Sequence, residues 1–370
     1  MKITKDLKIG ITANNATIEQ IWSNGLRQNA FHLRNTLIEA GYVNTSFVCE
    51  NREKSKDGFC GIDIDFITKE NVIEYDVILE VCNVISNNLY MALKKNPKAS
   101  LVSVQYGNDY MIGVERSIYC PEDKPKNTQT PRDEMWTSPH YEFAKIPLEI
   151  MYRTDIKICP YVWSPYFLNK VFDIKELMYH PGNYSHNKIG VLESNLYTVK
   201  SCHIPLLIME DLHKRNPGVF DHGYVFSSSH IKKNPTFVSF CNNLSSVRDG
   251  TVSFEGRYKF PYILKARYIN AIVSNQFYND LNYLQLEAMH LGYPIVHNSK
   301  PFREYGYYYE GLDAYTGSRQ LEIALKTHKH SYVEKREHEK HKVYEYHPFN
   351  SKNIEGYARL IEDLVEKKYK

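Results

Sequence analysis

Residues 284–299 read LQLEAMHLGYPIVHNS, and a helix, a stop and a strand are legible in that order. The apolar spacing of the first half fits a helix that carries Glu287 and ends at Gly292, a residue suited to the left-handed turn that closes helices. Tyr293-Pro294 then leads into Ile295-Val296, because a proline cannot continue the helix. Helix–turn–strand is half of a repeating α/β unit. His297 and Asn298 follow at the end of the strand, the position from which α/β proteins reach their ligands.

The same rhythm extends outward in both directions. Upstream, KIGVLESN (188–195), TFVSFCNN (236–243), TVSFEG (251–256) and YINAIVSN (268–275) read as strands, and residues 202–215 read as a helix. The first half opens with KIGIT (8–12), then a polar loop with Asn24-Gly25, then RQNAFHLRNTLIEAG (27–41) at helical spacing. VNTSFVCE (43–50), IDIDFIT (62–68), VIEYDVILEVC (72–82), ASLVSVQYG (99–107) and DIKICPYVWSP (155–165) continue it as strands. Residues 166–187 show no clear period and contain HPGNYSHN. The reading is therefore an α/β chain of two Rossmann-like domains facing across a cleft, at 1–165 and 188–350, with 166–187 as the connection. The amphipathic stretch 351–370 is expected to be a helix packing back across the hinge.

A chain of 370 residues exceeds one comfortable core, which agrees with two domains. Lys+Arg 46 against Asp+Glu 43 leaves a net charge of +3, too little for a dedicated nucleic-acid binder. The 30 tyrosines suit a carbohydrate site, but Lys, Asn and Ile are abundant too, and compositional bias explains them as well. The 7 cysteines are odd in number, widely spaced and without a C-x-x-C, which fits a reduced compartment. MKITKDLKIG does not read as a signal peptide, and no apolar run reaches the ~20 residues that span a bilayer. The expected location is the cytoplasm.

The 284–299 segment resembles the E-A-x-x-x-G-x-P-V-V segment of GT-B glycosyltransferases. That resemblance assigns Glu287 to the ribose hydroxyls of a nucleotide diphosphate sugar. It assigns the turn 279–283, with Asn282 and Tyr283 opening the helix, to the diphosphate, which backbone N–H groups attract. FEGR (254–257) resembles the F-x-G-R of the same group, so Arg257 is expected to meet phosphate. In GVLESNLYTVK, Lys200 fills the lysine role beside Glu193 and Asn195, but Val191 stands where relatives carry arginine. Retaining relatives carry a glutamate eight residues before the ribose glutamate. Here that position is Asn279, followed by Asp280, a departure from the retaining pattern. ESN…VK, NDLNYLQLEAMHLGYPIVHNS and YGNDY together resemble a bacterial, phage and viral family long catalogued as a domain of unknown function with GT-B character, along nearly the whole chain.

The resemblance makes the first domain the acceptor side, with Gly25 in a loop before a helix. In VQYGNDY (104–110), Asp109 is a candidate general base; the competing reading is that Asn108-Asp109 makes a turn. His32 is a weaker base candidate, since a helix histidine is more often structural. His297 and Asn298 either contact sugar and phosphate or cap the strand. Asp63 and Asp65 form a D-x-D inside an alternating strand and are expected to face solvent. The histidines 328, 330, 338, 341 and 347 fall in a Lys/Glu-rich stretch read as a solvated helix, so no metal site is expected. The implied function is transfer of a sugar from a nucleotide diphosphate sugar to a hydroxyl acceptor such as a glycan, with no metal or other cofactor. The alternatives are a nucleotide-sugar epimerase on the same fold and a catalytically idle sugar-binding or assembly module.

Overall fold

The computed structural model describes residues 5–120 and 130–368, in two compact units. The first comprises Met1–Phe167 together with Tyr344–Lys370; the second is Leu168–Val343.

The first unit holds seven strands: β1 (Ile9–Thr12), β2 (Thr45–Cys49), β3 (Ile64–Phe66), β4 (Val77–Glu80), β5 (Ser100–Gln105), β6 (Glu134–Thr137) and β7 (Ile156–Ile158). Their order is β3-β2-β1-β4-β5-β6-β7, with every pair parallel. Central strands such as β1 and β4 are buried along their whole length, as expected where helices cover both faces. Gly10 of β1 leaves no room for a side chain. A Cβ there would stand 2.7 Å from Ile78 Cδ1 and 2.9 Å from Val48 Cγ1. The helix Gly25–Glu39 starts where Asn24 Oδ1 accepts the Leu26 N–H at 3.1 Å. The last helix, Ser351–Glu366, belongs to this unit. Its Tyr357 hydroxyl donates to the Pro160 carbonyl at 2.6 Å, so Tyr106 is the donor in the 2.8 Å contact between the two tyrosine hydroxyls.

The second unit holds β8 (Lys188–Val191), β9 (His222–Val225), β10 (Val252–Phe254), β11 (Ala271–Val273), β12 (Ile295–His297) and β13 (Tyr307–Tyr308). Their order, β10-β9-β8-β11-β12-β13, is again fully parallel. Counted from its own first strand, that is the 3-2-1-4-5-6 order of a dinucleotide-binding fold. The first unit repeats it and adds a seventh strand. Each sheet therefore reverses direction once, between β1 and β4 and between β8 and β11.

Several elements differ from the sequence reading. TFVSFCNN is not a strand: Pro235–Asn242 is a helix, capped by Asn234, whose side chain accepts from Thr236 and Phe237. Proline at the first helical position and an Asn cap outweigh the β-branched and aromatic content. β6, β9 and β13 fall in stretches of four residues or fewer that the pattern did not single out. Residues 166–187 contain the short helices Tyr166–Val171 and Ile174–Leu177, and from Leu168 they group with the second unit. The 188–350 boundary also moves, because the chain rejoins the first unit at Tyr344.

Candidate functional site

The point where strand order reverses opens a crevice beyond the carboxyl ends of the two flanking strands. In the second unit those strands are β8 and β11, which release Glu193 and Ser274-Asn275-Gln276 respectively. The Glu193 carboxylate is buried and ties the two strand ends together. One oxygen accepts from the Ser274 hydroxyl at 2.7 Å and the Asn275 N–H at 3.2 Å; the other accepts from the Gln276 amide at 2.8 Å. Burial raises its pKa, while the Lys200 charge and these donors oppose the rise. Burial lowers the Lys200 pKa in turn, against the pull of Glu193.

Asn195 fixes the loop that brings Lys200 there. It sits in the left-handed region at φ 54°, its N–H donates to the Lys200 carbonyl, and its side-chain oxygen accepts from Cys202 N. Its amide donates to the Glu193 carbonyl at 3.0 Å and the Ser227 carbonyl at 3.2 Å. Ser227 and Ser228 donate from their backbones to Gly256 and Glu255, so the exposed Arg257 follows a segment tied to the Asn195 loop.

The network continues along the chain leaving β11. Asn279 is buried, and its amide donates to Gln276 Oε1 at 2.6 Å, extending the line that ends on Glu193. A carboxylate at 279 has no proton to give Gln276, so asparagine suits this arrangement. Asp280 lies next to it. Burial raises its pKa and Lys300 opposes that, while its carbonyl accepts from the Ser299 hydroxyl. Asn282 caps the helix Tyr283–Leu291 by accepting from Leu284 N, leaving the helix opening at the carboxyl end of β11. Tyr283 is buried in its first turn, and Glu287 is a buried carboxylate on an otherwise mostly apolar helix.

Of the two readings of His297 and Asn298, their hydrogen bonds favour the strand cap. His297 Nδ1 accepts from Ser299 N at 3.2 Å, so its Nε2 donates to the Tyr305 carbonyl at 2.9 Å. Burial pushes its pKa down to about 4, and the ring stays neutral. Asn298 exchanges hydrogen bonds with the Gln276 backbone and donates to Gly311 at 2.9 Å. Both cap the strand. Ser274 and Gln276 were missed, although a polar run directly after a central strand marks this position.

In the first unit, the reversal between β1 and β4 carries its own polar crevice. Thr12 Oγ1 donates to the Asn83 carbonyl at 2.7 Å and accepts from Val81 N at 2.9 Å. Asn14 and Asn83 exchange amide hydrogen bonds at 2.8 and 3.0 Å. They line a pocket of about 410 Å³ with Cys49, Glu50, Asn51 and Lys54. Gly25, His32 and Asp109 do not line that pocket. Gly25 opens the helix Gly25–Glu39 with no atom within 4 Å of where a Cβ would point. His32 is fully buried against Phe31 and Phe167, and burial pushes its pKa down to about 3, with the His347 charge second. That burial fits the structural reading of a helix histidine. Asp109 begins the helix Asp109–Tyr119 after the Asn108 cap, and its carboxylate accepts from the Tyr152 hydroxyl at 2.6 Å. Asn108-Asp109 therefore opens a helix rather than making a turn. Asp63 and Asp65 are exposed. His328 is not on a solvated face: it is buried, Nε2 3.0 Å from the Gly292 carbonyl and Nδ1 3.1 Å from the Tyr307 hydroxyl. Among the described residues, no three His, Cys, Asp or Glu side chains gather as metal ligands, all seven cysteines are free, and no helix is long and apolar enough to cross a membrane.

A family model described as "Protein of unknown function (DUF2827)" matches residues 9–361. The chain belongs to that family. No curated protein matches it in sequence. Solved structures do match this DUF2827 chain in fold. A glycosyltransferase from Rickettsia africae ESF-5 is 11% identical, with 99% of each chain covered and a TM-score of 0.54. Anabaena Alr3699/HepE, in complex with UDP and glucose, is 10% identical over 97% of this chain and 99% of its own, with a TM-score of 0.54. An α,α-trehalose 6-phosphate synthase from Burkholderia multivorans is 9% identical over 98% of each, also at 0.54. The fold is GT-B, with two Rossmann-like domains.

Proposed function

We propose that this protein transfers a sugar from a nucleoside diphosphate sugar to a hydroxyl acceptor, with its donor site in the second unit. The observation that carries this is the Glu193-centred network at the β8/β11 reversal, which holds Lys200 and the loop 274–282 in fixed positions. Glu287 accepts from the ribose hydroxyls. Lys200, Arg257 and the backbone N–H groups opening the Tyr283–Leu291 helix offset the diphosphate charge, so departure of the leaving group needs no metal ion. Asn279 and Asp280 face the transferred sugar. The acceptor hydroxyl is held in the first unit, in the pocket lined by Asn14, Asn51 and Asn83.

Thermal unfolding with UDP, GDP and dTDP and their sugars tests this. One nucleotide is expected to raise the midpoint, and its diphosphate sugar to release free nucleoside diphosphate. Glu287→Ala is expected to weaken binding by about tenfold or more, as loss of a charge-assisted hydrogen bond does. No response to any nucleotide overturns the reading in favour of an idle relative. Isomerisation of the donor sugar without release of diphosphate identifies an epimerase.

A further inference from the structure

The second sheet is covered unequally on its two faces. Val191, Val225 and Val252 face one side, packed with residues of the helices His203–Arg215 and Pro235–Asn242 into the main core of the unit. The alternation of a strand sends His222 and Tyr224 of β9 to the other side, with Ser253 of β10 in register beside Tyr224. These residues are only partly buried, although a fully parallel sheet is ordinarily covered on both faces.

Three tyrosines line this face, joined through the ring of Phe226, which is itself buried. Tyr268 lies 6.1 Å from Tyr224, Tyr224 stacks on Phe226 at 6.0 Å and 24°, and Phe226 meets Tyr258 at 6.0 Å. The outer rings, Tyr268 and Tyr258, are 53% and 60% exposed. Beside them runs a hydrogen-bonded chain. Ser253 Oγ donates to Glu255 Oε1 at 2.7 Å, so His222 Nε2 is the donor in its 2.8 Å contact with that hydroxyl. Burial lowers the His222 pKa, and Glu255 and Lys188 act on it in opposite directions.

We propose that this open face, which runs from Tyr268 to Tyr258 beside Arg257, binds a neutral oligosaccharide chain. Tyrosines offer flat faces to the C–H groups of pyranose rings and hydroxyls at their edges. The imidazole, hydroxyl and carboxylate alongside can donate to and accept from sugar hydroxyls. A covering helix or a second copy of the chain would call for aliphatic side chains here, and this row has none. Single-stranded nucleic acid, the other ligand that stacks on rings, is the competing outcome of the test. Three tyrosines spaced along the face suit a chain of sugars rather than one.

Titration calorimetry of the full-length protein with maltohexaose and cellohexaose tests this, with oligothymidylate as the competing probe. At least one hexasaccharide is expected to bind. Tyr268→Ala is expected to weaken it about threefold to tenfold, the usual worth of one ring contact. Glu255→Gln checks the polar chain and should also weaken binding, with the thermal midpoints of both variants near the parent value. UDP binding, measured on the same samples, should not change with Tyr268→Ala, so failure here stays distinct from failure of the donor site. Binding of neither hexasaccharide, tighter binding of oligothymidylate, equal affinity in Tyr268→Ala, or self-association that Tyr268→Ala abolishes each overturns the proposal.

Discussion

Buried carboxylates show how chemistry and stability pull apart at single positions. Glu193 is surrounded by donors, which favour the ionised carboxylate, while burial works against ionisation. Glu339 has fewer partners. Its side chain accepts from Gly306 N at 3.2 Å, and burial raises its pKa from 4.5 to about 7 with only Lys335 and that hydrogen bond in opposition. The folded state therefore holds this proton more tightly than the unfolded chain. The associated stability is fully present below pH 4.5 and is lost as pH rises through 7. Glu339→Gln keeps an acceptor for Gly306 but has nothing to ionise. Urea unfolding from pH 4 to 8 should show the parent losing stability relative to the variant, on the order of 3 kcal/mol across the window. A constant difference across that range would remove this role from Glu339.

At the scale of elements, the helix Tyr283–Leu291 shows what makes an element legible. Asn282 and Gly292 bound it, one as a side-chain cap and the other in the left-handed region at φ 75°. Both signals are local and chemical, so the sequence alone places the helix and the strand after it. Gly292→Ala keeps the apolar pattern but forces a Cβ into that conformation, 3.0 Å from Arg336 Cδ. It is expected to cost about 1–2 kcal/mol in denaturant unfolding. A loss below a few tenths would mean that the cap relaxes freely. Where signals compete, reading fails. In 236–243 the aromatic and β-branched residues argue for a strand, and the cap preceding them decides for a helix. β9 alternates half-buried and buried residues around a glycine, so neither face looks continuous in the sequence. Glu287, Lys200 and Asn279 were reachable because a motif fixes their order along the chain. Ser274 and Gln276 became visible only once strand order showed where β8 and β11 meet. Asn298 points the other way: its amide is consumed by the carbonyls of Gln276 and Gly311, distant in sequence.

For the molecule as a whole, the two units repeat one topology, yet the chain visits the first of them twice. The returning segment, from Tyr344 onward, is bound by chemistry rather than by proximity alone. Tyr357 is fully buried, and its hydroxyl links Tyr106 on one side to the Pro160 carbonyl on the other. Lys367 pairs with the buried Glu134 and with Asp155, and Lys368 pairs with Asp133. Removing the single hydroxyl in Tyr357→Phe leaves the ring packed but strips the Tyr106 hydroxyl and the Pro160 carbonyl of their shared partner. A buried polar group left unpaired costs about 1–3 kcal/mol. That cost should fall on the first unit, which contains all the groups concerned. Hydrogen exchange read by mass spectrometry is expected to accelerate in β5, β6 and the helix Ser351–Glu366, and to stay unchanged in β8, β11 and β12. Equal acceleration in both sets of strands would show that the closing helix stabilises the molecule as one cooperative body. No change in either would mean that the tyrosine pair contributes packing alone.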